Sequence, residues 1–146
     1  MIAIVYHLNY EAAIAHGLAS KTQHIFPYTD ATCGFSKRHV EAVQALWDAH
    51  CYTPVVSINI GDPMSAMGLD RKLEQVFEGT NSIDEHWSRK YESNSNAVLF
   101  SLNNRQRSTS VGDVIKVVNL GTQRLFRIAS CGFEALTDWT TIKEAV

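Results

Sequence analysis

The sequence predicts a single α+β domain in which helices pack on one mixed or antiparallel sheet, with a strand-rich C-terminal half. Two observations support this fold class. The 146 residues are 45% hydrophobic and 19% charged, which are ordinary values for one globular domain. The expected elements run strand, helix, helix, strand and helix, and then mainly strands, which is the pattern of helices layered on a sheet. We therefore treat residues 1–146 as one domain.

The first fifty residues predict one strand and two helices. Residues 2–8 (IAIVYHL) are short, apolar and partly β-branched, as in a buried strand. Asn9 can cap a helix over roughly residues 10–19. Residues 20–35 show no clean period and indicate a loop, which can include a short strand over residues 24–28 (HIFPY). Residues 36–50 carry apolar side chains at steps of three and four, which predicts an amphipathic helix.

A second strand and a third helix are expected next. Residues 51–61 (CYTPVVSINIG) contain a β-branched run that predicts a strand. Asp62 and Pro63 are typical of an N-cap and a first helical position, so we expect the helix to begin there and to reach residue 81. Residues 82–95 are polar with an apolar side chain at every fourth position, which allows a short helix.

The C-terminal half predicts an antiparallel arrangement of strands. Three strands are expected, over residues 96–102, 114–120 and 124–133. The last two strands form a hairpin with its turn at Gly121 and Thr122. Residues 137–146 allow a short helix or a strand. A small barrel over residues 96–136 is the alternative for this half.

Charge and cysteine content exclude several classes of protein. The formal net charge is −2, which argues against a general nucleic-acid coat. The three cysteines include no Cys-x-x-Cys pair, which argues against a zinc ribbon or a thioredoxin-like site. The chain shows no signal peptide and no apolar run near the ~20 residues of a membrane helix. We expect a soluble cytoplasmic protein with no membrane contact, no cofactor and no metal.

Residues 105–115 (RQRSTSVGDVI) are the most distinctive segment, and their first interpretation is structural. Gly112 can take a positive φ, and Asp113 can accept hydrogen bonds from nearby backbone N–H groups. Both properties belong to a turn. On this interpretation the segment leads into the strand that follows and sets its register.

The second interpretation is a binding surface. The segment clusters guanidinium and hydroxyl groups that suit a phosphate or a carboxylate. Later arginines can widen the patch, and Phe126 can stack on a base of RNA or single-stranded DNA. The candidate binding residues are Arg105, Arg107, Ser108, Ser110, Asp113, Arg124 and Arg127.

A catalytic interpretation is weaker. Ser108 or Ser110 as a nucleophile needs a base and an orienting group. His86 and Asp113 can be proposed for those roles, but their spacing specifies neither. The sequence therefore carries no recognisable catalytic constellation.

Asn81 and Trp87 form a further candidate contact for a partner, because one large aromatic lies there among polar residues. The structural alternative is a solvated helix with Trp87 turned into the core. Both interpretations stay open at this point.

The segments LDRKLEQVFEGTN, RSTSVGDVI and FRIASCGFEAL together resemble short uncharacterised phage proteins, and the Arg-Ser-x-Ser-Val-Gly-Asp-Val core is similar to the YodL-like domain of phages and conjugative elements. The resemblance covers residues 69–136. Its matching positions are Leu73, Val76, Phe77, Thr80, Asn81, Trp87, residues 107–114, Gly132 and Phe133. The resemblance implies an origin in a phage or a related element, and it implies no reaction.

The expected function is that of a small phage accessory protein that binds a host protein and alters its activity. Small size and the absence of a catalytic pattern favour this function. The alternative is a nucleic-acid-binding module that uses the region from Arg105 to Arg127. A small enzyme with its site around Arg107, Ser110 and Asp113 is the least favoured expectation.

Overall fold

The structure is a computed structural model that describes residues 1–18, 37–61, 68–81, 98–101, 107–129, 131–136 and 140–141. Its helices are α1 (Tyr10–Ala15), α2 (Lys37–Asp48) and α3 (Leu69–Gly79). Its strands are β1 (Ile2–Leu8), β2 (Tyr52–Asn59), β3 (Val98–Ser101), β4 (Val114–Asn119), β5 (Thr122–Ile128), β6 (Phe133–Ala135) and β7 (Thr140–Thr141). The predicted α+β class and the strand-rich C-terminal half are confirmed.

All seven strands belong to one antiparallel sheet in the order β3-β2-β1-β4-β5-β6. The strand β7 pairs with the start of β5, whereas β6 pairs with its end, so β6 and β7 lie along the same edge. The barrel alternative for residues 96–136 is wrong, because β3 pairs with β2 at the opposite edge from β6.

Helices cover both faces of the sheet. On one face, α3 contributes Leu73 and Val76 to a cluster with Ala3, Val5, Val55, Val56, Ile58, Ile115, Val117, Phe126 and Ile128. On the other face, α2 contributes Val43 to a cluster with Val114 and Leu125. Adjacent strand residues such as Val114 and Ile115 point to opposite faces, so the two clusters form separate layers.

A bulge in β2 shapes the face under α3. Val5 pairs with Val56, but the next residue of β1, Tyr6, pairs with Pro54, so Val55 is the extra residue. Val55 and Val56 are both fully buried in the cluster under α3. A bulge allows two consecutive side chains to serve one face, which strict alternation forbids.

Several element boundaries differ from the sequence prediction. The helix α1 ends at Ala15, ahead of Gly17 at a φ of +70°. The helix α3 begins after an N-cap at Gly68, and Asp62 lies outside the described residues. The predicted strand 124–133 is two strands, because Ala129 N–H donates to the carbonyl of Gly132 at 3.0 Å and closes a turn.

The hairpin between β4 and β5 turns one residue earlier than predicted. Asn119 pairs with Thr122, so Leu120 and Gly121 are the two loop residues. Their φ values are +43° and +79°, as a type I′ turn requires. The predicted N-cap of α1 is confirmed, since Asn9 Oδ1 accepts a hydrogen bond from Ala12 N–H at 3.0 Å.

The whole of the loop predicted over residues 20–35, the helix considered over 82–95 and the last five residues lie outside the described residues. Among the helices that the structure describes, none is long and apolar enough to cross a bilayer.

Candidate functional site

Asp113 is the centre of the distinctive segment. Its side chain is 1% exposed and forms a bidentate ion pair with Arg107, with Nη1–Oδ2 and Nη2–Oδ1 distances of 2.7 Å each. The same carboxylate accepts backbone N–H groups from Ser110 at 2.8 Å and from Leu8 at 2.9 Å. These contacts tie the segment to β1. We call residues 107–113 the Arg–Asp turn.

Arg107 also donates hydrogen bonds to other groups of the same turn. Its Nη1 also donates to the carbonyl of Ser108 at 3.0 Å and to Ser110 Oγ at 3.1 Å, and its Cζ lies 5.9 Å from the ring centroid of Tyr10. Burial by itself would lower the pKa of Arg107, but the hydrogen bond and the charge of Asp113 outweigh burial and raise this pKa. The guanidinium is therefore held as a permanent cation against a buried anion.

The backbone conformation at Gly112 requires a glycine in the turn. Its φ is +92°, its N–H donates to the carbonyl of Ile128 at 2.9 Å, and its carbonyl accepts the Tyr52 hydroxyl at 2.8 Å. Ile128 N–H in turn donates to the Asp113 carbonyl at 2.9 Å. The predicted positive φ and the predicted acceptor role of Asp113 are both confirmed, and the turn fixes the start of β4 against β5.

A buried pair that the sequence did not predict lies behind the turn. His7 Nε2 lies 3.0 Å from Thr109 Oγ1, and Thr109 N–H donates to the carbonyl of Thr80 at 3.0 Å. Burial lowers the pKa of His7 to about 4, although the charge of Asp113 acts in the opposite direction. His7 lies on the same face of β1 as Ala3 and Val5, the face that α3 covers. The alternation of residues 3, 5 and 7 was the sequence signal that could have predicted the burial of His7.

The His7–Thr109 pair lacks the access that catalysis requires. A hydroxyl beside an imidazole is the arrangement of an activated nucleophile. However, His7 is 4% exposed and Thr109 is 2% exposed, so neither atom meets a substrate from solvent. A structural role follows.

Two other predicted binding residues are placed along β5. Arg127 is fully buried, and its Nε and Nη2 donate to Glu134 Oε2 at 3.0 and 2.8 Å. Arg124 lies over the ring of Phe126, with Cζ 4.8 Å from the centroid. The buried guanidinium of Arg127 presents no surface to a phosphate in this conformation.

The structure does not bring the remaining predicted site residues together at one place. Ser108 and Ser110 are half-buried in the Arg–Asp turn, and Asn81 is half-buried just after α3, with its N–H on the carbonyl of Glu78 at 3.3 Å. Arg105 and Trp87 lie outside the described residues, as does His86. The described part of the chain holds no group of three His, Cys, Asp or Glu side chains suited to a metal ion.

A cleft of about 730 Å³ opens between α3 and the end of β5 with β6. We call it the α3–β6 cleft. It is lined by Asp70, Arg71, Glu74, Phe77, Val111, Ile128, Ala129, Cys131, Gly132, Phe133 and Glu134. The cleft could not be predicted from the sequence, because its two walls come from elements that only the tertiary fold brings together.

The cleft combines an apolar floor with an acidic rim. The aliphatic and aromatic lining residues form the floor, whereas the rim has three carboxylates and one guanidinium. The floor residues are Phe77, Val111, Ile128, Ala129 and Phe133. Glu74 pairs with Arg71 at 2.7 Å. Glu134 is likewise paired, with Arg127 on the other side of the sheet, so the rim charge that these two ion pairs leave uncompensated is that of Asp70.

Comparisons with protein-family models, with curated proteins and with solved structures give no match to this chain.

Proposed function

We propose that this protein is a small phage accessory protein that binds a host protein at the α3–β6 cleft and alters its activity. The observation that carries the proposal is the cleft itself, with its apolar floor, its acidic rim and its volume of about 730 Å³. Its size falls within the ~300–1,000 Å³ typical of binding pockets. The occupant that fits is a partner segment with apolar side chains flanked by lysine or arginine.

The apolar floor supplies the affinity on this proposal, because hot spots of protein interfaces are desolvated apolar or aromatic pockets. The net negative charge of the rim supplies selectivity, because charge complementarity steers a basic partner and rejects an acidic one. Phe77, Val111, Gly132 and Phe133 line the cleft and are also positions of the resemblance to phage proteins. That resemblance is the support for a phage origin.

Binding is favoured over catalysis because the polar groups of the Arg–Asp turn are satisfied by each other. Asp113 accepts from Arg107, Ser110 and Leu8, and the hydroxyl–imidazole pair of Thr109 and His7 nearby is buried. The alternative of a nucleic-acid module in the region from Arg105 to Arg127 ranks second, since Arg107 and Arg127 both donate to carboxylates of the protein.

The test is affinity capture from a bacterial lysate with matched charge-reversal baits. Glu74→Lys changes the rim, whereas Glu78→Lys makes the same charge change on the same helix outside the cleft. We expect one stoichiometric protein to be retained by wild type and by Glu78→Lys, and to bind Glu74→Lys roughly tenfold more weakly. Equal retention by all three baits contradicts the proposed site. Capture that nuclease treatment abolishes favours the nucleic-acid alternative instead.

A further inference from the structure

We infer that the occupant of the α3–β6 cleft binds as an extended strand that pairs with the outer edge of β6. This inference rests on the proposed function and specifies the form of the partner: a β-strand that alternates apolar and basic residues. Three features carry it, namely the hydrogen-bond register of β6, the position of the cleft above that edge and the charges beside it.

The register of β6 directs backbone groups away from the sheet. The bonds from Ala129 N–H to Gly132 and from Leu136 N–H to Leu125 mark the residue pairs 129–132 and 125–136 as hydrogen-bonded. Hydrogen-bonded and non-hydrogen-bonded pairs alternate along an antiparallel ladder. Phe133 and Ala135 therefore occupy non-hydrogen-bonded positions opposite Ile128 and Phe126.

The N–H and C=O groups of Phe133 and Ala135 consequently point outward from the sheet. No described strand pairs with β6 on that side. Exposed N–H and C=O groups at a sheet edge are a template for another strand, and strand addition is an established mode of peptide recognition. Two residues with outward-facing groups provide up to four hydrogen bonds to a partner backbone.

The cleft lies where the side chains of such a strand would project. Phe133 and Ala135 point to the sheet face that α3 covers, and Phe133 lines the cleft. Residues directly opposite each other on paired strands share a face. Alternate side chains of the added strand would therefore enter the space between Phe133 and α3, and the others would lie beside Glu134 on the second face.

The charges select a basic partner over a second copy of this chain. Glu134 stands on the second face of the edge, where the basic side chains of the added strand would lie; its side chain is 26% exposed, and Arg127 contacts it through Oε2. Two copies paired through β6 about a two-fold axis would bring the same acidic groups together. Like charges across an interface are repulsive. A partner strand that carries lysine or arginine meets the same carboxylates with opposite charge, so it is not repelled.

The test uses a fluorescent peptide of about seven residues, blocked at both ends, that alternates lysine and valine. In an antiparallel pairing, as in the rest of the described sheet, and with valines in the cleft, the valine N–H groups point to β6 and the lysine N–H groups point away. N-methylation of the valine amides should thus weaken binding at least tenfold, whereas N-methylation of the lysine amides should not. The same peptide with glutamate in place of lysine should not bind.

The matched protein variants are Ala135→Pro and Ala135→Val. Proline removes the outward N–H of Ala135 without breaking a bond to β5, and valine retains it. We expect Ala135→Val to bind the peptide like wild type and Ala135→Pro to bind at least tenfold more weakly at an unchanged Tm. If Ala135→Pro does not fold, the comparison of the two N-methylated peptides still tests whether the peptide pairs with β6.

Each other outcome has a definite meaning. Binding that Glu74→Lys weakens but N-methylation and Ala135→Pro leave unchanged overturns strand addition while the cleft remains a binding site. No binding of the lysine–valine peptide at millimolar concentration overturns the inference and leaves the capture experiment as the test of the function. A dimer of the protein that forms without peptide and is lost in Ala135→Pro makes a second copy the occupant and overturns the basic partner.

Discussion

At the scale of single residues, the carboxylate of Asp113 joins segments that are far apart in the chain. It accepts N–H donors from Leu8, 105 residues away, and from Ser110, together with both Nη atoms of Arg107. Burial of an anion is tolerated only when its oxygens are paired and hydrogen-bonded, and here they are. Asp113 and Arg107 therefore stabilise the fold, whatever else the turn does.

We predict that Asp113→Ala lowers the free energy of unfolding by about 3–5 kcal/mol, because it leaves buried N–H donors without an acceptor and Arg107 without its counter-ion. Asp48→Ala, at an exposed position on α2, should cost well under about 1 kcal/mol. Urea denaturation measures both. A loss below about 1 kcal/mol in Asp113→Ala combined with lost partner binding would mean that the turn itself is a binding site.

At the scale of elements, the hairpin of β4 and β5 is built on an unfavourable loop sequence. Leu120 is 95% exposed and takes a φ of +43°, a conformation that suits asparagine, aspartate or glycine better than leucine. Gly121 at +79° is suited to its position. The ladder from Asn119–Thr122 to Val114–Arg127 holds the turn in place in spite of Leu120.

We predict that Leu120→Asn raises the free energy of unfolding by roughly 0.5–1 kcal/mol, because Asn-Gly is a preferred type I′ turn. Gly121→Ala should lower it by about 1–2 kcal/mol, because alanine is strained at a positive φ. In thermal denaturation we expect the Tm of Leu120→Asn to lie above that of wild type and the Tm of Gly121→Ala to lie below it. A Leu120→Asn variant less stable than wild type would show that Leu120 makes a stabilising contact that its exposure conceals.

At the scale of the whole molecule, a buried histidine links global stability to pH. His7 has a folded-state pKa of about 4 against an ordinary value of 6.5, so the unfolded chain binds a proton in this interval and the folded chain does not. Stability is therefore retained above about pH 6.5 and is lost as the pH falls toward about 4. The full loss is about 3 kcal/mol, since each pKa unit corresponds to ~1.4 kcal/mol.

We predict that His7→Gln reduces the loss of unfolding free energy between about pH 7 and pH 4.5, whereas His16→Gln, at an exposed position, does not. Denaturant titrations at the two pH values measure the difference within each variant, which cancels any constant cost of losing the contact with Thr109. An acid-induced loss in His7→Gln equal to that of wild type would show that other groups carry the pH dependence.

The sequence by itself determined the α+β class, the position of most strands, the helix over residues 37–48 and the glycine-dependent turn before β4. Period-two and period-3.6 patterns, capping residues and Gly-Asp pairs are local signals, so local reasoning finds them. The start of α3, the division between β5 and β6 and the loop at Leu120 were misplaced because flanking sequence allowed more than one boundary.

Only the tertiary structure decided what the polar residues contact. It buried Arg127 against Glu134, paired His7 with Thr109 and enclosed Asp113, although the sequence equally allowed an exposed basic patch. It also placed α3 over the edge of β6 and so created the α3–β6 cleft. The physical reason is that strand order and register set which distant residues meet, and these depend on packing of the whole chain rather than on any one segment.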